Sequence, residues 1–193
     1  MTGERIKVVE VGARDGLQNE KTLVPTATKI ALIERLAAAG LSSIEATSFV
    51  SPKWVPQMAD AADVLAGLPR RPGVSYPVLV PNAQGLERAL AAGVREIALF
   101  TAASDAFNRK NTNASVDESL ARLKPVAEQA RAAGIKVRGY VSTVLGCPYQ
   151  GAVPLAEVLR VSEALFHMGC HEISLGDTIG VGTPHAARDL VRA

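Results

Sequence analysis

In the stretch Ala132-Ala133-Gly134-Ile135-Lys136-Val137-Arg138-Gly139-Tyr140-Val141, a helix end, a stop and a new strand follow one another directly. Alanine suits the helix, glycine takes the left-handed conformation that closes it, and the β-branched run beyond suits a strand. The same joint recurs as Ala38-Ala39-Gly40-Leu41 and Ala91-Ala92-Gly93-Val94. Working outward from these joints, strands are predicted over residues 6–11, 43–47, 75–80, 96–100, 136–142 and 172–175. Helices are predicted over 26–39, 56–65, 84–92, 116–133 and 154–168, with Pro184 opening another at the position proline favours. Ser115-Val116-Asp117-Glu118 has the form of a capping box, and Pro125 inside that helix predicts a kink.

Strand and helix alternating at a repeat near ~30 residues implies βαβ units and a parallel sheet. Right-handed crossovers reduce the candidates to a barrel or a doubly wound sheet. The near-identical joints favour the α/β class of the (β/α)8 TIM barrel, built from equivalent units. Such a barrel has eight units in about 250 residues. The 193 residues are expected to hold about the first six and to stop before the seventh strand, as one partial barrel domain, 1–193. Two open sheet edges would then leave unpaired backbone and a tendency to aggregate.

Composition narrows the functions. Lys and Arg number 21 against 19 Asp and Glu, a net charge of +2 with no clustered basic face of the kind nucleic acid requires. The pair Arg70-Arg71 reads as a solvated turn. No apolar run nears the ~18 residues that span a membrane, and residues 1–7 lack the core of a secretory signal. Cys147 and Cys170 lie far apart without zinc spacing, so a reducing, cytoplasmic setting is expected.

Polar residues gather just after the predicted strands, where (β/α) barrels carry their active sites. They are Arg14, Asp15 and Gln18; Glu45, Thr47 and Ser48; Asn82; Tyr140, Ser142 and Thr143; Ser174, Asp177 and Thr178. Arginine beside aspartate at a buried strand end must have both charges satisfied. A divalent cation on Asp15 with Arg14 facing an anionic substrate oxygen does so. A structural salt-bridge network does so equally, and position alone leaves both readings open.

The run Val9-Glu10-Val11-Gly12-Ala13-Arg14-Asp15-Gly16-Leu17-Gln18-Asn19-Glu20 resembles the signature of the 3-hydroxy-3-methylglutaryl-CoA lyase family, within the DRE-type metal-dependent barrels. So do residues 44–58, from Ile44 through Ser48-Phe49-Val50-Ser51-Pro52-Lys53-Trp54 to Met58. Residues 137–142, Gly146-Cys147-Pro148-Tyr149 and residues 172–184 agree, and the match is collinear over nearly the whole chain. The resemblance implies an enzyme, a carbon–carbon lyase of leucine degradation and ketone-body formation. It cleaves (S)-3-hydroxy-3-methylglutaryl-CoA to acetyl-CoA and acetoacetate with Mg²⁺ or Mn²⁺. It implies Asp15 as a metal ligand, with the remaining ligands expected beyond Ala193. Arg14 is implied to stabilise the enolate-like oxygen, Glu45 to orient the metal site, and Asp177 to transfer a proton. Substrate would also meet Gln18, Ser48, Tyr140, Ser174 and Thr178. The expected partners are the acyl-CoA substrate and, at full length, a second copy in a homodimer; neither nucleic acid nor membrane is expected.

His167, His171 and His185 read as surface or capping residues rather than ligands. Cys147 matches a non-catalytic segment of the family, whose catalytic cysteine lies in a loop beyond the eighth strand, and Cys170 reads as packing. Two alternatives stand beside the lyase: a Claisen-condensing synthase of the same superfamily, and a partial barrel without activity. The synthases lack the Ser-Phe-Val-Ser-Pro-Lys-Trp-Val-Pro segment.

Overall fold

The computed structural model describes residues 6–193, which fall into two compact units divided between Ile97 and Ala98. In the first, strand β1 (Val9–Glu10) leads through a π-helical turn (Gly12–Gly16) to helix α1 (Thr26–Ala38). Strands β2 (Ser43–Ile44) and β3 (Thr47–Ser48) follow, then a 3-10 turn (Pro56–Met58) and helix α2 (Ala61–Gly67). Strand β4 (Val78–Leu79) and helix α3 (Ala83–Ala91) complete it. The pairing is parallel: Val9 and Glu10 stand opposite Ser43 and Ile44, and Thr47 and Ser48 opposite Val78 and Leu79.

The strand predicted over 43–47 is therefore divided. Its first half pairs with β1 and also meets Ser75 on the other side, Ile44 N donating to Ser75 O at 3.0 Å, and its second half pairs with β4; Glu45 and Ala46 lie between the two. The Glu45 amide donates to Glu10 O at 2.8 Å and the Ala46 amide to Pro77 O at 2.9 Å. Pro77 has no N–H to return, which shortens the strand predicted over 75–80. The strand predicted over 6–11 is likewise confined to Val9–Glu10, while residues 1–5 lie outside the described part. The helix predicted over 56–65 is broken at Ala59-Asp60 into the 3-10 turn and α2. Ala13, Ile33, Ile44, Ala46, Val64 and Leu68 form the core of this unit, packed between α1, α2 and the strands.

The second unit begins within strand β5 (Glu96–Ala102) and continues with α4 (Asp105–Thr112), α5 (Val116–Ala132) and β6 (Lys136–Ser142). Helix α6 (Leu155–His167), strand β7 (Glu172–Leu175) and helix α7 (Pro184–Arg192) complete it. β6 and β7 run parallel, with Arg138 opposite Glu172 and Tyr140 opposite Ser174. The buried run of β5 and the apolar faces Leu120-Leu123-Val126-Ala127 of α5 and Val158-Val161-Leu165 of α6 make its core. Burial along nearly all of β5 is what a parallel strand covered on both faces requires. The capping box is present: Glu118 N donates to Ser115 Oγ at 3.1 Å and Ser115 N to Glu118 Oε2 at 2.7 Å. α5 runs unbroken through Pro125.

All three Ala-Ala-Gly joints close in one geometry, shown by Gly134. At φ 72° it donates to Arg131 O at 2.9 Å, and Ile135 reaches back to Ala130 O at 2.9 Å. This double closure satisfies two carbonyls that a helix end leaves open, and glycine enters the required region without a Cβ penalty. Helix α4 has no counterpart in the predicted elements. Its sequence, Asp105-Ala106-Phe107-Asn108-Arg109-Lys110-Asn111-Thr112, has almost no apolar period, and its bounds are set by caps: Ser104 accepts from Phe107 N, and Asn113 ends it at φ 52°.

Candidate active site

In the first unit, Gly12 to Gly16 wind as a π-helical turn at the C-terminal end of β1. Such turns are rare and recur at functional sites because the widened backbone re-aims side chains. The amide of Gly12 donates to Glu10 Oε1 at 2.5 Å, and a Cβ on Gly12 would meet that oxygen at 2.7 Å, so a larger residue would displace the Glu10 carboxylate. The turn sends Arg14 inward and Asp15 outward. Arg14 is 9% exposed, its Nε donating to Oε1 of the fully buried Glu45 and its Nη1 to Asp15 Oδ1 at 2.7 Å. Glu45 lies between the two halves of the second strand, its amide tied to Glu10 O at 2.8 Å. The product is a fixed guanidinium whose charge is balanced by one buried and one exposed carboxylate. The Asp15 side chain is 58% exposed.

Gln18 stands two residues past the turn and borders a cavity of about 300 Å³ shared with Lys21, Trp54, Pro56 and Gln57. Its Oε1 is buried without a hydrogen-bond partner, the state of a group awaiting a donor. Ser48 is different. Its Oγ donates to Leu79 O and accepts from Val50 N, both at 3.3 Å, so its hydroxyl serves the backbone. Asn82 is spent as the cap of α3, accepting from Gly85 N at 2.9 Å.

The second unit carries its polar residues at the ends of β6 and β7. Tyr140 and Ser174 are cross-strand neighbours, and the Arg138 guanidinium lies 5.3 Å from the Tyr140 ring centre. Asp177 is exposed and organises its own loop: Oδ1 accepts from Val181 N at 3.2 Å and Oδ2 from Gly182 N at 2.8 Å. A Cβ on Gly182 would come within 2.8 Å of that Oδ2, so glycine lets the amide reach the carboxylate. Thr178 Oγ1 accepts from Thr143 N at 2.7 Å, joining the two strand ends. Thr143 itself has φ 63°, a left-handed conformation that a β-branched residue rarely adopts, and it is fully buried. Strain of this kind leaves no mark in a sequence.

The histidines take structural places. His171 donates from Nδ1 to Val137 O at 2.8 Å, while His167 ends α6 and His185 lies exposed in the first turn of α7. Cys170 is buried, and desolvation pushes its thiol up to about 11. Cys147 is buried too. Burial would raise its thiol, but the Ser104 hydroxyl and the N–H groups of Tyr149, Gln150 and Phe107 together bring it below its usual value. No three or more His, Cys, Asp or Glu cluster as a metal site among the described residues. Asp15 offers a hard oxygen of the type that suits Mg²⁺ or Mn²⁺, and these residues do not furnish the rest of a coordination shell. Sequence reasoning also missed the buried network of Gln57, Lys29 and Asp60, for which the surrounding apolar spacing gave no signal.

Parallel βα units whose strand ends carry a buried Arg–Glu pair and an exposed Asp have the layout of the α/β barrel class, which gathers its functional side chains at those ends. Residues 5–193 match the HMGL-like family, and the chain belongs to that family. It is 61% identical over 190 residues to the mitochondrial hydroxymethylglutaryl-CoA lyase of Bos taurus, covering 98% of this chain and 58% of that protein. It is 57% identical to the cytoplasmic 3-hydroxy-3-methylglutaryl-CoA lyase of Rattus norvegicus, over 98% of this chain and 55% of the relative. The crystal structure of hydroxymethylglutaryl-CoA lyase from Pseudomonas aeruginosa matches with a TM-score of 0.95 at 56% identity, over 98% of this chain and 63% of that one. The fold is thus that of the family's TIM barrel in part, and the chain spans about 58% of the length of the bovine relative. Among the described residues no helix is long and apolar enough to cross a membrane.

Proposed function

We propose that the protein cleaves (S)-3-hydroxy-3-methylglutaryl-CoA to acetyl-CoA and acetoacetate by a retro-Claisen reaction, the step that ends leucine degradation and supplies ketone bodies. The observation that carries this reading is the buried Arg14–Glu45 pair with Asp15 beside it on the π-helical turn. In the reaction a base removes the proton of the tertiary alcohol, whose oxygen becomes the ketone of acetoacetate. The bond between that carbon and the carbon next to the thioester breaks, and its electron pair moves onto the thioester oxygen. A proton then returns to the carbon, giving acetyl-CoA.

Arg14 is the group for the developing oxyanion: buried, charged and pre-aimed by Glu45, it need not reorganise as charge develops. Glu45 acts through Arg14. Asp177, held by two amides of its loop, is the candidate for the proton transfers, and Gln18, Tyr140, Ser174 and Thr178 are assigned to the substrate. Ser48 joins them with the weaker case, since its hydroxyl is committed to backbone. Asp15 would hold the divalent cation, Mg²⁺ or Mn²⁺, which supplies polarisation of the substrate's hydroxyl and carboxylate oxygens. We assign residues 1–193 to one catalytic barrel domain, a homodimer at full length, in the cytoplasm. The unbroken family match supports the first, and two free buried cysteines support a reducing compartment.

The test is acetyl-CoA release from the thioester in the presence of Mn²⁺. Arg14→Gln is expected to lower kcat by about 10²- to 10³-fold, as removal of an oxyanion donor does. Turnover that survives Arg14→Gln and Asp15→Ala unchanged would overturn the site. Absence of turnover both in this chain and in a form extended to the length of its relatives would overturn the reaction.

A further inference from the structure

The loop over residues 20–24 follows the Arg14–Asp15 turn and borders the cavity, yet it has no buried side chain: Glu20, Lys21, Thr22 and Leu23 are exposed and Val24 is half-buried. Beyond a backbone bond from Glu20 N to Leu17 O, what holds it is one side-chain amide. Gln57, only 4% exposed, donates from Nε2 to Glu20 O at 3.3 Å and to Thr22 O at 3.0 Å, and its Oε1 accepts from Val24 N at 2.8 Å. The side chain thus serves the loop as a neighbouring strand would. Gln57 is fixed in turn: its carbonyl accepts from the buried Lys29 Nζ, which pairs with Asp60 Oδ1 at 2.6 Å, while Thr26 Oγ1 donates to Asp60 Oδ2 at 2.7 Å.

Burying an amide, an ammonium and a carboxylate together is costly unless each is satisfied. Here much of that satisfaction is directed at ordering an exposed loop that contributes nothing to the apolar core. Stability alone does not explain such an arrangement; a wall that must keep its shape does. We infer that Gln57 is a positioning residue of the acyl-CoA site, holding Gln18 and Lys21 on one side of the cavity against Trp54 on the other. The inference rests on the acyl-CoA lyase reading. Gln57 touches no reacting atom and acts through the loop.

Trp54 is the single tryptophan of the chain, 87% exposed on the cavity wall, and reports on this place directly. The experiment titrates 3-hydroxy-3-methylglutaryl-CoA into the 193-residue chain and follows Trp54 fluorescence, with thermal midpoints measured alongside. Gln57→Met keeps the volume and removes the three hydrogen bonds; it is expected to raise the dissociation constant about tenfold or more. Val64→Ala, a cavity in the core away from the loop, is expected to lower the midpoint and leave affinity within about twofold. Where Gln57→Met does not fold, Gln57→Glu replaces it. Its carboxyl donates only when protonated, so affinity is expected to fall more steeply than in the unsubstituted chain as pH rises from about 5 to 8. No saturable response in the unsubstituted chain would overturn the lyase reading itself. Normal binding with equal affinity in the Gln57 variants overturns the positioning role alone, as does an equal loss of affinity in Val64→Ala.

Discussion

Arg14 and Glu45 show how much depends on single charges. Both are buried, and each offsets much of the other's charge. Glu45→Ala leaves the buried Arg14 guanidinium only the exposed Asp15 carboxylate, and the expected cost is about 3 kcal/mol in denaturant unfolding, the low end for breaking a buried pair. Replacing both residues with apolar side chains of similar volume is expected to recover most of that stability while abolishing turnover. A double-mutant cycle separates the two effects. Cys170 gives a pH signature. Its folded thiol titrates near about 11, above the unfolded value of about 8.5, so the native state binds more protons between the two. Its contribution is whole below about pH 8.5 and fades as pH rises through 11, on the order of 3 kcal/mol in all. Cys170→Ala should flatten that portion of the stability–pH curve relative to the unsubstituted chain; identical slopes would refute the assignment.

Among elements, α5 was legible at both ends and α4 at neither. α5 has an apolar stripe, a capping box and a glycine stop, and every one of them is a local signal. Backbone and side-chain hydrogen bonds from Ser115 hold the Glu118 carboxyl below its usual value, so the box is complete near neutrality and loosens as pH falls through that lowered value. Ser115→Ala is expected to cost about 1 kcal/mol at neutral pH, seen as a lower thermal midpoint, and Ser115→Gly distinctly less. α4 is polar throughout and is held by Ser104, by Asn113 and by Asp105, whose Oδ1 accepts from Val116 N at 2.7 Å. Periodicity cannot find a helix whose residues face water on most sides. The division of the second strand at Glu45 is also invisible locally, because Pro77, the residue that imposes it, is about thirty positions away.

At the scale of the molecule, β1 pairs with β2 alone and β7 with β6 alone, and both leave a strand edge without a partner among the described residues. Ile6 is 88% exposed and Val191 77%, with Phe166 and Val181 also open to solvent. Unpaired edges and exposed apolar side chains of this size favour association. The chain is expected to bind a hydrophobic dye while folded and to sediment as a concentration-dependent mixture. A single monomeric species without dye binding would contradict this. The order of elements was readable here too, since each βα unit carries its own start and stop.

Taken alone, the sequence determined the unit repeat, the helix stops and the family, because glycine conformation, capping and apolar period act over a few neighbouring residues. It also marked Arg14, Asp15 and Asp177 as strand-end polar residues. Only the tertiary structure decided that Arg14 faces Glu45, that Ser48 is spent on backbone, and that Gln57 secures the loop beside Gln18. Those are contacts between residues some thirty to forty positions apart in the chain. Which buried donor finds which buried acceptor depends on how the strands are packed, and no local rule encodes it.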